Sequence, residues 1–147
     1  MSAEIRPACV ADLDVVCRIE LDSNPSPWTE AAFESEMTRE VSRVDVLEVE
    51  GAVLGFVVHW LVAGEAHILN VAVDPNARGR GLGTRLVEHV IAEAVRGEGS
   101  YLMLEVREGN AAARGLYERF GFKLIARRER YYKDNQETAL ILGLVLS

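Results

Sequence analysis

The chain reads as an α/β domain, a mixed central sheet flanked by helices on both faces. Three observations carry that reading. Strand-like and helix-like segments follow one another in the order β-α-α-β-β-β-α-β-α-β-β, which suits a layered sheet covered by helices. A glycine-rich loop stands between a buried strand and an amphipathic helix. The 147 residues are 49% hydrophobic, enough for one domain spanning residues 1–147 to bury most of its apolar surface.

Each element has a local reason. Ile5-Arg6-Pro7-Ala8 forms a short first strand. Leu13, Val16, Cys17 and Leu21 recur at helical spacing and predict a helix over about residues 11–22. Ser23-Asn24-Pro25-Ser26-Pro27 is a loop, because two prolines exclude regular structure. Thr29 is suited to cap a second helix running to about Arg39, with Ala32, Phe33 and Met37 on one face. Val44 to Val49 reads as a strand. A turn at Glu50-Gly51 leads into a longer one, Val53 to Val62, and Ala66 to Val73 is a third. Leu82, Leu86, Val87, Val90, Ile91 and Ala94 then make a helical stripe that ends at Gly97-Glu98-Gly99. Tyr101 to Val106 is the next strand. Asn110 caps a short helix to Phe120, closed by Gly121. Phe122 to Ala126 and Thr138 to Leu146 give the last strands.

The most informative stretch runs from Ile68 to Thr84. A strand, a turn at Asp74-Pro75, the loop Arg78-Gly79-Arg80-Gly81-Leu82-Gly83-Thr84 and a helix starting near Leu82 follow in order. Glycines let backbone amides approach a ligand closely. The first amides of a helix lack intrahelical partners, and the helix dipole favours an anion there. Arg78 and Arg80 add positive charge. The loop therefore predicts a phosphorylated ligand. It is not a P-loop, since Gly83 stands where the lysine would precede Thr84. A dinucleotide G-x-G-x-x-G fails at Thr84.

A second constellation follows. Glu105 sits between Leu104 and Val106 in an apolar strand, so alternation points it away from both. A carboxylate so placed needs pairing, solvation or a function. Asn110, Ala113, Leu116, Tyr117, Gly121 and Phe122 then fall at fixed spacing on the helix after it.

Composition limits the function. With 16 basic and 23 acidic residues the net charge is −7, the wrong sign for a general nucleic-acid binder. Such a charge favours solubility first and also suits a cationic substrate. Cys9 and Cys17 form no metal or redox motif, and a reduced, cytoplasmic setting is expected. The first residues lack an apolar signal segment. No apolar run approaches the ~20 residues of a membrane span. His59, His67 and His89 are scattered without ligand spacing, so no metal is assigned.

Arg78, Gly81 and Gly83 fill the pattern [QR]-x-x-G-x-[GA], preceded by Val73-Asp74-Pro75. This resembles the coenzyme A pyrophosphate loop of the GNAT superfamily of acyl-CoA-dependent N-acyltransferases. The block Asn110-x-x-Ala113-x-x-Leu116-Tyr117-x-x-x-Gly121-Phe122 is similar to that family's second signature, and the element order is similar to its fold. The resemblance implies a single GNAT-type domain with acetyl-CoA as cosubstrate. It implies that Arg78, Gly79, Arg80, Gly81, Leu82, Gly83 and Thr84 hold the pyrophosphate. Val71, Ala72 and Val73 would bond the pantetheine arm by main chain, and Asn110 would hydrogen-bond the same arm. It makes Glu105 the catalytic base, acting directly or through water, and Tyr117 the acid that protonates the leaving thiolate.

The resemblance covers the whole chain. Ile5 to Leu13, Pro27-Trp28-Thr29-Glu30 with Phe33, and Arg127 to Tyr132 are similar to bacterial ribosomal-protein-alanine N-acetyltransferases. This implies a protein N-terminus as acceptor, the N-terminal alanine of a small-subunit ribosomal protein. One departure is Thr138, where that subgroup has Asp. Tyr131 and Tyr132, read as strand residues, would point to opposite faces. The rivals are a GNAT enzyme for a small amine or a lysine side chain, and a non-catalytic acyl-CoA-binding regulatory domain.

Overall fold

Two apolar clusters, one on each face of a seven-stranded sheet, organise the molecule. The structure is a computed structural model that describes residues 2–146. Its strands are β1 Ala3–Pro7, β2 Ser42–Val49, β3 Ala52–Val62, β4 Glu65–Val73, β5 Tyr101–Arg107, β6 Lys123–Arg128 and β7 Ala139–Val145. Its helices are α1 Leu13–Ser23, α2 Glu30–Thr38, α3 Leu82–Arg96 and α4 Ala111–Arg119. The strand order is β1-β2-β3-β4-β5-β7-β6. The β4–β5 pair is parallel and the other pairs are antiparallel.

The helices divide by the stripe each one buries. Leu13, Val16 and Ile19 of α1 and Phe33 of α2 pack on Val44, Val46, Phe56 and Val58 of the sheet. On the opposite face, Leu86, Val87, Val90 and Ala94 of α3 and Tyr117 of α4 pack on Leu47, Val57, Ala66, Ile68, Leu102 and Leu104. Residues 44, 46, 56 and 58 share one face, and 47 and 57 the other, because side chains alternate along a strand.

Local capping sets the helix boundaries. Thr29 Oγ1 accepts the Ala32 amide at 3.1 Å and starts α2. Before α1, a 3₁₀ turn at Val10–Asp12 takes up the first residues of the expected helix. Asp12 holds that turn, accepting the Cys9 amide at 2.8 Å and both amino groups of the Arg6 guanidinium at 2.8 and 3.0 Å.

One expectation about the backbone fails. Tyr131 and Tyr132 are not strand residues, because β6 ends at Arg128 and a turn follows. Arg130 adopts a left-handed φ of 54°, which breaks the extended path. The two rings therefore meet edge to face, 5.2 Å between centroids, instead of diverging across a sheet.

Candidate active site

The glycine loop is built as the sequence implies. Asp74 Oδ1 accepts the Asn76 amide at 2.9 Å and fixes the turn out of β4. Gly79 and Gly81 have φ of 82° and 78°, a region that costs an L side chain roughly 1–2 kcal/mol. Gly81 is the N-cap of α3, and its carbonyl receives the Arg85 amide at 3.1 Å. The amides of Leu82, Gly83 and Thr84 thus lie ahead of the helical ladder and are free to meet an anion. At Gly83 a Cβ would meet only Leu116 Cδ2, at 3.5 Å, so packing alone does not require a glycine there.

Arg78 and Arg80 are both exposed but differ in attachment. Arg78 Nε donates to the Val73 carbonyl at 3.2 Å, and its Nη2 donates to Ser23 Oγ at 3.1 Å. It ties the loop to the ends of β4 and α1.

Beside the loop the sheet opens. β4 and β5 pair only from Glu65↔Tyr101 to Ile68↔Leu104. A register shift in the β3–β4 pairing falls at the same level, between Val58 and His59, and leaves Leu69 as the extra residue. Such a bulge bends a strand. Val71, Ala72 and Val73 stay paired to β3 on one side while their other edge leaves β5. That edge leaves main-chain groups unpaired by β5 and open to an extended ligand arm.

Glu105 is the first residue of β5 beyond the last β4–β5 pair. Leu104 and Val106 are 4% and 5% exposed, while Glu105 is exposed, as alternation requires. Tyr131 Oη approaches Glu105 Oε1 at 3.5 Å. Two residues along the same face, Arg107 anchors the β6–β7 loop. It donates to both oxygens of Asp134 at 3.1 and 3.0 Å and lies 3.9 Å over the Tyr132 ring. Glu137 adds a bond from the Gly109 amide at 2.6 Å. Ser26 Oγ donates to Asp134 Oδ2 at 3.2 Å, so the α1–α2 loop joins the same edge. Glu20, fully buried, holds that loop by accepting the Trp28 amide at 2.9 Å and Asn24 Nδ2 at 3.0 Å. Arg107 and Glu20 were not singled out in the sequence. The i, i+2 spacing of Glu105 and Arg107 was the available signal for the first.

Tyr117 lies on α4 and is 4% exposed, with its ring 5.5 Å from that of Phe122. Burial raises its pKa from 10.0 to about 12, so the phenol keeps its proton at neutral pH. Glu105 and Tyr117 come from separate elements, and each has its own environment, one wet and one apolar. Asn110 caps α4, its Oδ1 accepting the Ala113 amide at 3.2 Å.

The histidines are less scattered than their spacing implied. His59 Nε2 and His89 Nε2 lie 2.8 and 2.9 Å from the same oxygen, Asp45 Oδ2. Burial alone would raise the Asp45 pKa, but the bonds from His59 and His89 outweigh it and hold the carboxyl well below its usual range. This cluster stands on β2, β3 and the middle of α3, apart from Glu105 and Tyr117.

A helix start with free amides, a sheet opened beside it and an exposed carboxylate at the fork make up the candidate site. Residues 13–122 match the acetyltransferase (GNAT) family, and the chain belongs to that family and is an acetyltransferase. It is 36% identical over 138 residues to the [ribosomal protein bS18]-alanine N-acetyltransferase of Escherichia coli (strain K12), covering 92% of this chain and 93% of that one. The crystal structure of the ribosomal-protein-S18-alanine N-acetyltransferase from Escherichia coli superposes with a TM-score of 0.91 at 36% identity, over 99% of this chain and 95% of that chain. Ard1 from Thermoplasma volcanium superposes with a TM-score of 0.89 at 28% identity, over 100% and 99%. Among the described residues no helix is long and apolar enough to cross a membrane.

Proposed function

We propose that this protein transfers the acetyl group of acetyl-CoA to the α-amine of a protein N-terminus, the N-terminal alanine of a small-subunit ribosomal protein. One observation carries the reading. Glu105 is an exposed carboxylate placed where β4 and β5 part, two residues before the Arg107 that anchors the β6–β7 loop. The named activity of the Escherichia coli relative supports the choice of acceptor.

The amides of Gly79 to Thr84 take the pyrophosphate, and the free edge of Val71 to Val73 takes the pantetheine arm, with Asn110 beside it. An α-amine protonated at neutral pH is not a nucleophile, so Glu105 removes its proton, directly or through water. The amine nitrogen then bonds to the thioester carbon and gives up its second proton to water as the carbon–sulfur bond breaks, and water returns a proton to Tyr117 after transfer. Tyr117 delivers a proton to the departing sulfur, which its protonated state at neutral pH allows. Tyr131, next to Glu105, faces the incoming amine, and Arg107 keeps that loop in place.

Thiol release from acetyl-CoA tests this with a panel of N-terminal peptides, free amines and a lysine peptide blocked at its α-amine. The expected result is release with Ala-initiated peptides. Release only with free amines or the blocked lysine peptide would reassign the acceptor. Release with none would make the protein an acyl-CoA-binding module.

A further inference from the structure

Asp45, His59 and His89 are 14 and 30 residues apart in sequence, yet their ligand-type atoms all lie within 4.8 Å of one another. The scaffold under them is rigid. Asp45 and His59 are diagonal neighbours on paired strands, since Asp45 faces Val57 and Arg43 faces His59. Both side chains point to the α3 face, where His89 reaches down from the helix. Asp45 is 3% exposed and His59 6%, while His89 is half-buried. His59 also lines a cleft of about 240 Å³ that opens between the sheet and the end of α3. The proposed acetyl transfer uses none of these three groups.

We propose that Asp45, His59 and His89 form a binding site for a divalent transition-metal ion of the zinc class. Two imidazoles and one carboxylate suit zinc, cobalt or nickel and not magnesium or calcium, which take oxygen donors. Three protein ligands leave a fourth position for water, which the cleft beside His59 supplies. Bonds of 2.0–2.2 Å in a tetrahedral site would set the ligand atoms about 3.3–3.5 Å apart. The present 2.8 and 2.9 Å contacts thus open by roughly half an ångström; a small rotation of His59, which borders the cleft, accommodates the first, and the half-buried His89 the second. Each ring then presents its Nε2 lone pair and carries its proton on Nδ1. Glu93, four residues after His89 on α3 and so on the same helix face, lines the same cleft and adds a second negative charge. Arg43 and Arg96 line it too; Arg96 is paired with Glu93.

His89 sits seven residues into α3, about 10 Å along the helix from its first residue. The ion would therefore join β2, β3 and α3 as a structural clamp and would not touch the acetyl-transfer chemistry.

The test is a cobalt(II) titration of chelator-treated full-length protein in a Cys9→Ser background, which removes the exposed thiol. The expected result is a visible absorption band of four-coordinate cobalt that saturates at one equivalent, yields to zinc and is unaffected by magnesium. His59→Gln and Asp45→Asn should each abolish the saturating band, while His67→Gln, a histidine outside the cluster, should keep it. Failure of the unaltered cluster to give a saturating band overturns the site whatever the fate of the variants. A band that survives both substitutions, or that is lost with His67→Gln, also overturns it. The readout is metal binding, so it stands apart from whether the acetyl acceptor has been assigned correctly.

Discussion

Replacing Tyr117 with Phe removes one hydroxyl and keeps the ring that packs 5.5 Å from Phe122, so the fold should survive. Two effects follow from the same burial. If the hydroxyl protonates the departing thiolate, kcat should fall by roughly tenfold to a thousandfold, while acetyl-CoA affinity stays within a few-fold. The second effect is on stability. Tyr117 titrates at about 12 in the folded protein against 10.0 in the unfolded chain, so the native state holds the proton more tightly. That contribution is fully present below pH 10 and is lost as pH rises through 12. Two pH units correspond to about 2–3 kcal/mol of stability lost over that window. Urea unfolding at pH 9 and at high pH, beside steady-state kinetics at pH 7, reads both effects. In Tyr117→Phe the alkaline loss of stability should shrink by that amount. Turnover equal to that of the unaltered protein would leave Tyr117 as a core residue and transfer the acid role to water.

Glu105→Gln keeps size and removes proton acceptance, so kcat should drop by roughly two to four orders of magnitude with acetyl-CoA affinity nearly unchanged; near-normal turnover from pH 6 to 9 would exclude it as the base. Gly83→Val should abolish acetyl-CoA binding by calorimetry in a folded protein, because packing leaves ordinary room for a Cβ there, whereas unchanged affinity would remove the loop from cofactor binding. Arg107→Met frees the loop carrying Tyr131 and Tyr132, so the KM for an acceptor peptide should rise while acetyl-CoA binding holds, and an unchanged peptide KM would show that Arg107 serves stability alone. Asp12, held at about 2 instead of 3.8 by its bonds from Arg6 against the cost of burial, lends stability that is present above about pH 4 and lost as pH falls toward 2; Asp12→Asn should flatten acid unfolding across that window.

Local signals made much of this legible. The stripe from Leu82 to Ala94, the cap at Asn110 and the alternation around Glu105 each depend on residues a few positions apart, and all appear in the structure. The fork between β4 and β5 depends on how far two strands pair, so Val71 to Val73 could be named only through a family likeness. Tyr131 and Tyr132 were misplaced because a left-handed Arg130, with no glycine to announce it, breaks the extended path just before them. Asp45, His59 and His89 meet only through the stacking of α3 on β2 and β3. No spacing along the chain encodes that meeting.

The central claim is that the acetyl group goes to an N-terminal amine with Glu105 as base. Its most direct measurement is mass spectrometry of a small-subunit ribosomal protein beginning with alanine, after incubation with acetyl-CoA and either the unaltered protein or Glu105→Gln. The account predicts one acetyl group, on the alanine α-nitrogen, formed by the unaltered protein and slowed by at least a hundredfold in the variant. Acetylation on lysine side chains instead, or at an equal rate with both proteins, would contradict it.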